Sequence, residues 1–423
     1  MKVGNPHRIN KPGRFIRIGG CGWLLLGISR ESFNSPMHAV DVHGLNSPVE
    51  YVLLLTYALV WSVIPLYALF STYILYSSGL TLMGIGLFST FYNVASMIGQ
   101  YSLGYLSDLL RSRRRLIILD LFLMMLATVI LELNTYITYY MFTSVIVGFL
   151  AGGFSALMLA SSSEISMVKL GRSISIVRIG GAVGWIGGSL VIPLLILYSS
   201  LRYATLFALF ELTVALVITV AMLKETYSAR FTTRLTLGTW SIISAYSLIA
   251  GLVISSASWF LPVYVYVRRG SILYLGEVIA AGAAAEVPTM MAAGSLFDFS
   301  STFRRYLFMV NGVVLSLAFI LYSQLPLSAL IAAQVIRGIG YALFIISTPA
   351  LLMSLGVERG KGSAVFFSTF SLGSILGGLV GGALSTVMGV KYLFIVLSLT
   401  FLAASILMNV AFMGKVRVVK RAI

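Results

Sequence analysis

Few side chains in this 423-residue sequence could do chemistry, and several of them sit where charge is expensive. Asp120, Arg178, Glu211, Glu286 and Arg337 fall inside long apolar stretches, with Glu132 and Glu277 nearer the ends of theirs. A charged group in hydrocarbon costs roughly 3 kcal/mol or more unless it is paired or wet. Position alone therefore makes each a candidate for function.

Glu286 is the strongest. It follows Ala280-Ala281-Gly282-Ala283-Ala284-Ala285, a run small enough to let one helix lie almost against another. Two residues later, Pro288 removes a backbone donor beside the carboxylate. A dry site favours the neutral acid and an approaching cation favours the carboxylate, so such a group suits proton coupling. Arg178 and Arg337 are the cations available to it, and Arg178 shares a helical face with Trp185 at i, i+7. The alternative is a permanent, structural ion pair. Gln334, Arg337 and Tyr341 lie at i, i+3 and i+7, a polar stripe along one helix face. That stripe either meets a polar or anionic solute or satisfies buried carbonyls.

The missing residue types exclude other chemistries. A single cysteine, Cys21, permits no internal disulfide and no cysteine-built metal site. All three histidines (His7, His38, His43) precede the first long apolar run, which argues against a membrane metalloprotease or oxidase. A Gly-x-x-x-x-Gly-Lys-Ser/Thr phosphate loop is absent, so an ATP-driven permease would need a separate ATPase. No metal and no cofactor is expected.

The elements that must position these residues are set by composition. Hydrophobic residues make up 59% of the chain and charged ones 10%, with a mean hydropathy of +0.98. Soluble proteins carry about 25% charged residues, so most of this surface must face lipid. Twelve runs reach the roughly 20 apolar residues that a spanning helix needs. They cover 51–76, 82–107, 115–133, 136–160, 174–198, 202–223, 240–266, 272–297, 306–323, 326–355, 363–388 and 392–414, the tenth with a possible unwound segment at Pro349. An all-α polytopic membrane protein follows. Twelve is even, so both termini share a side. Of the 29 lysines and arginines, 23 fall on that side and 4 on the other, with Arg178 and Arg337 inside spans. The positive-inside rule then puts both termini in the cytoplasm and accounts for the net charge of +16 without nucleic acid. Residues 1–50 read as a polar, basic cytoplasmic tail with no convincing signal-peptide cleavage site, and 415–423 as a second short tail.

The chain also repeats itself. Gly104-Tyr-Leu-Ser-Asp108, followed by Arg111 to Arg115, recurs 190 residues later as Gly294-Ser-Leu-Phe-Asp298 before Arg304-Arg305. Gly171-Arg172, Gly184 and Gly188 recur at an offset of 189 as Gly360-Lys361, Gly373 and Gly377. Two pseudo-symmetric six-helix bundles are expected, 51–223 and 240–414, joined by a cytoplasmic linker at 224–239 and related by an axis along the membrane normal.

Over residues 50–414 the chain resembles the major facilitator superfamily of secondary transporters. The motif after the second span reads Gly-x-Leu-Ala-Asp-Arg-x-Gly-Arg-Arg in that family. Gly104, Leu106 and Asp108 match it, and Arg113, Arg114 and Arg115 supply its basic cluster. Leu109 stands where the family has a basic residue, and one glycine is missing. Glu358-Arg359-Gly360-Lys361 and the run Gly373, Gly377, Gly378, Gly381, Gly382 are weaker echoes, the latter with Gly378 where antiporters carry proline.

The resemblance implies alternating access around a central cavity lined by the first, fourth, seventh and tenth spans. Arg337, Gln334, Tyr341, Trp61, Tyr57 and Trp259 become cavity candidates, with Tyr67, Tyr139, Tyr140 and Tyr264 as further aromatics on those spans. Glu286 and Arg178 are the proton-coupling candidates. Gly104, Asp108, Arg113, Arg114, Gly294 and Asp298 form a conformational latch, unless Asp108 is only a solvated end charge. The expected protein is a monomeric multi-pass transporter of the cell membrane, moving a small organic molecule together with protons. Uptake symport and drug-type efflux antiport both remain open.

Overall fold

The computed structural model describes residues 48–133, 136–165, 170–226, 240–354 and 359–421. Most of the N-terminal tail and of the 224–239 linker therefore lies outside the described residues. All regular structure among them is helical, and twelve segments are long and apolar enough to cross a membrane. They are α1–α2 (Pro48–Tyr67, Leu69–Ser77), α3 (Leu82–Leu109), α4 (Arg113–Leu133), α5 (Ile137–Ile165), α6 (Leu170–Tyr198) and α7 (Leu201–Met222). Then come α8 (Trp240–Val267), α9 (Ile272–Phe299), the short α10 (Ser301–Arg305), α11 (Leu307–Gln324), α12 (Leu330–Ser354), α13 (Arg359–Met388) and α14 (Val390–Arg421).

Two helix interruptions differ from expectation. The first span breaks at Ala68, three residues after Pro65, whose ring offers no backbone donor. Hydroxyls of Ser71 and Thr72 cover the carbonyls of Ala68 and Leu69 at 2.6 and 2.8 Å. The tenth span does not unwind at Pro349; α12 runs through it.

The internal repeat recurs in backbone hydrogen bonds and helix caps. Gly79 (φ +95°) ends α2 with bonds from Ser78, Gly79 and Leu80 back to Ile74, Tyr76 and Leu75. Arg269 (φ +60°) ends α8 with the same bonds, from Arg268, Arg269 and Gly270 to Tyr264, Tyr266 and Val265. Both following helices are capped alike, by Thr81 on Gly84 and by Ser271 on Tyr274.

Glycines set the helix contacts in the same paired way. A Cβ on Gly184 would fall 2.0 Å from the Ala58 carbonyl oxygen, and one on Gly373 2.0 Å from that of Leu248. So α6 lies on α1 as α13 lies on α8. The contacts between the early and late helices match too. Gly86 of α3 abuts the Gly378 carbonyl of α13 at 2.7 Å, and Gly276 of α9 abuts the Ser189 carbonyl of α6 at 2.2 Å, measured from the same built Cβ. Only glycine permits such backbone approach.

Candidate functional site

Helices from both parts of the chain enclose a cavity of about 280 Å³. One contact builds its charged wall. Gly338 of α12 presses on Gly282 of α9, where a Cβ would lie 2.2 Å from the Gly282 oxygen. One turn beyond Gly282 stands Glu286, and just before Gly338 stands Arg337. Their side chains meet, Nη2 of Arg337 donating to Oε1 of Glu286 at 2.8 Å, both largely buried. The small-residue run before Glu286 thus does what its composition implied. Arg337, rather than Arg178, is the partner of Glu286.

The polar stripe of α12 does face the cavity. Arg337 lies 5.6 Å from the Tyr341 ring centroid, and Gln334 accepts a hydrogen bond at its Oε1 from the hydroxyl of Tyr322. Opposite them, Arg178 of α6 lies over the Phe367 ring, 5.1 Å from its centroid. Aromatic rings complete the lining. Tyr57 packs between Trp61 and Phe154 at 5.6 and 5.7 Å, Trp61 meets Trp185 at 5.4 Å, and Trp259 meets Tyr92 at 5.0 Å.

The sequence-predicted residues other than the latch, Glu286, Arg178, Arg337, Gln334, Tyr341, Trp61, Tyr57 and Trp259, all border the cavity. The further aromatics do not. Tyr67 and Tyr140 spend their hydroxyls on Thr128 and the Leu66 carbonyl, Tyr139 is about half exposed on the outer surface, and Tyr264 receives Arg268. Asn93 escapes the sequence reading. It donates to the Ser89 carbonyl at 2.8 Å and borders the cavity from α3; its only signal in sequence is an amide in mid-span.

Two other intramembrane acids resolve differently. Its place in sequence pairs Asp120 with the arginine cluster, but both its carboxyl oxygens are buried without a hydrogen-bond partner among the described residues. Glu211 accepts from the Ser62 hydroxyl at 3.2 Å, which ties α7 to α1 behind the cavity.

The arginines of the basic loop are drawn elsewhere. Arg113 bonds Asp108 at 2.7 Å and Glu164 of α5 at 3.1 Å. Glu225, after α7, accepts from the Arg113 backbone at 2.8 Å and from the Ser112 hydroxyl. Arg114 donates to the Val220 carbonyl at 2.7 Å. The motif therefore knits α3, α4, α5 and the end of α7, with Glu164 and Glu225 as members that the motif alone does not reveal. Gly104 and Gly294 both face open space. The side chain of Asp298, and those of Arg359 and Lys361 on α13, lie outside the described residues.

Known proteins share this fold. The profile of the Major Facilitator Superfamily matches residues 51–356. No curated protein matches in sequence. Among solved structures, the human organic anion transporter MFSD10 (TETRAN) superimposes with a TM-score of 0.67 at 16% identity, over 85% of this chain and 98% of its own. The nucleoside transporter NupG, in a point-mutant form, gives 0.69 at 15% identity, over 86% and 99%. At such identities the likeness is one of fold. With twelve membrane-length helices and a family profile covering most of its length, the chain belongs to the major facilitator superfamily and is an integral membrane transporter, not an enzyme.

Proposed function

We propose that the protein is a secondary transporter that moves a small organic solute through this cavity by alternating access, coupled to a proton on Glu286. The moving bodies are two six-helix halves, residues 51–223 and 240–414. The observation carrying the proposal is the Glu286–Arg337 pair: a carboxylate and a guanidinium at 2.8 Å, facing a cavity deep in the spans. Protonation of Glu286 breaks the pair's charge balance and frees Arg337, so solute binding and proton binding become linked through one residue. A small organic solute is also what the two structural relatives carry by their names, an organic anion and a nucleoside. The same pair serves uptake symport or efflux antiport.

The 23-to-4 bias in basic residues supports a cell-membrane protein with both termini in the cytoplasm. Reporter fusions after residues 230 and 420 should then be cytoplasmic and those after 200 and 325 external. The basic-loop network around Asp108 is read as a latch that releases during the cycle, and the functional unit as a monomer.

Reconstitution tests the central claim. In liposomes without ATP, wild-type protein should accumulate its solute under a pH difference. Glu286→Gln, a mimic of the protonated state, should abolish accumulation and preserve solute exchange. Continued accumulation by the mutant removes Glu286 as the proton carrier.

A further inference from the structure

The lining of the cavity is unbalanced in charge. Glu286 and Arg337 cancel one another at 2.8 Å. Arg178 has no such bond: among the described residues no hydrogen bond or ion pair reaches its guanidinium, whose Cζ lies 5.1 Å from the centroid of the Phe367 ring. A cation–π contact of this kind accepts no conventional hydrogen bond, so the forked N–H donors are unspent. Two guanidiniums and one carboxylate leave one net positive charge on the cavity wall, and Arg178 is the guanidinium that Glu286 does not bond.

Hydrogen-bonding atoms nearby are already committed. Oε1 of Glu286 and Oε1 of Gln334 accept from Arg337 and Tyr322. The indole N–H of Trp61 is buried, with no acceptor among the described residues. The guanidinium of Arg178 is left as an open set of donors, and it calls for a ligand that accepts and is negative.

The walls near Arg178 define the rest of that ligand. Trp185 lies two turns along the same face of α6, packed on Trp61 at 5.4 Å, and Trp61 in turn meets Tyr57 at 5.6 Å. These are flat, apolar surfaces of the kind that hold rings. The 280 Å³ volume admits one small molecule.

We infer that the solute is an aromatic organic monoanion, its carboxylate gripped by the edge of Arg178 and its ring held against Trp61 and Trp185. A carboxylate matches the guanidinium fork through two parallel hydrogen bonds. Glu286 and Arg337 stay paired until a proton arrives, so Arg178 makes the first contact with the solute, and protonation of Glu286 then frees Arg337 beside it. This division of labour rests on the cavity being the transport site.

The test is equilibrium binding to purified, full-length protein in detergent, with no gradient present. The probes are benzoate, indole-3-acetate and naphthalene-2-carboxylate, each beside its neutral carboxamide, and naphthylmethylamine as a cation. At least one acid should bind and raise the melting temperature, and its amide should bind at least tenfold more weakly. Arg178→Gln should weaken the acid at least tenfold and leave the amide unchanged, while Arg178→Lys keeps part of the preference. Equal binding of acid and amide, tighter binding of the amine, undiminished acid binding by Arg178→Gln, or no acid binding at all overturns the inference. Should Arg178→Gln fail to fold, the acid–amide contrast in the wild type and in Arg178→Lys decides. Acids that bind but are never moved in liposomes would overturn the transport reading alone; transport confined to neutral or cationic solutes would overturn this one alone.

Discussion

Cζ of Arg178 lies 5.1 Å from the ring centroid of Phe367, and the two stand 189 residues apart, so Arg178 rests on the residue that holds its own place in the second repeat. A residue that touches its own counterpart lies close to the axis relating the repeats. Arg178 is thus central, whereas Glu286 and Arg337 both belong to the later helices and sit off to one side. Their counterparts one repeat earlier are apolar or small, Ser96 and Val147 at an offset of 190. The scaffold is symmetric and the chemistry is not.

The ion pair should be costly to break on one side and cheap to remove whole. Glu286→Ala leaves Arg337 buried and uncompensated, at about 3–5 kcal/mol, and Arg337→Ala does the same to the acid. A Glu286→Leu, Arg337→Met double variant should recover most of that stability while losing transport. Thermal unfolding in detergent across the double-mutant cycle measures it. Additive losses would mean that the two groups do not form a unit.

Glycine-to-alanine changes should separate contact from propensity. Alanine ordinarily stabilises a helix by about 0.5–1 kcal/mol relative to glycine. Gly187 meets nothing within 4 Å, so Gly187→Ala should be neutral or stabilising. Gly276→Ala puts a Cβ 2.2 Å from the Ser189 oxygen, and Gly86→Ala puts one 2.7 Å from that of Gly378. Both should lower the melting temperature or transport rate while Gly187→Ala does neither.

Arg269 holds a left-handed conformation that costs a side-chain-bearing residue about 1–2 kcal/mol. Glycine does the same task at Gly79. Arg269→Gly should therefore raise the melting temperature, and Gly79→Ala should lower it. A lower melting temperature for Arg269→Gly would show that the guanidinium contributes more than the strain removes.

Arg113 and Arg114 are adjacent but unequal. Arg113 is buried between Asp108 and Glu164, whereas Arg114 bonds one carbonyl at the surface. Arg113→Ala should cost roughly 2 kcal/mol more than Arg114→Ala, since it strands Glu164, which is 13% exposed. Asp108 is 62% exposed, so Asp108→Asn should leave folding and membrane level near wild type and slow transport. Unchanged turnover would reduce Asp108 to an end charge. Expression, melting temperature and solute flux of the three variants give the comparison.

The spans, the repeat and the charged residues of the cavity can be read from the sequence, because each depends on local composition or on a fixed offset. Gly104 to Asp108 and Gly184 announce their counterparts by identity alone. Partners cannot be read this way. Whether Glu286 meets Arg178 or Arg337 depends on the rotation of α9 against α12, which is set by Gly282 lying on Gly338. Asp120 shows the same gap from the other side. Counting turns puts it near the arginines, but Glu164 and Glu225 arrive from distant parts of the chain and claim Arg113 and its neighbours first. Pro65 and Pro349 look alike in sequence, yet the helix breaks three residues after the first and runs through the second.

The matched contacts of Gly86 on Gly378 and Gly276 on Ser189 have the form of a homodimer interface, in which every contact is made twice with the partners exchanged. A single six-helix ancestor that paired with its own copy would have made this contact and its mirror at no extra genetic cost. Fusing two copies end to end then lets each drift alone. That freedom is what lets one half of this chain carry an acid and the other a bare guanidinium, an arrangement closed to any assembly whose subunits share one gene.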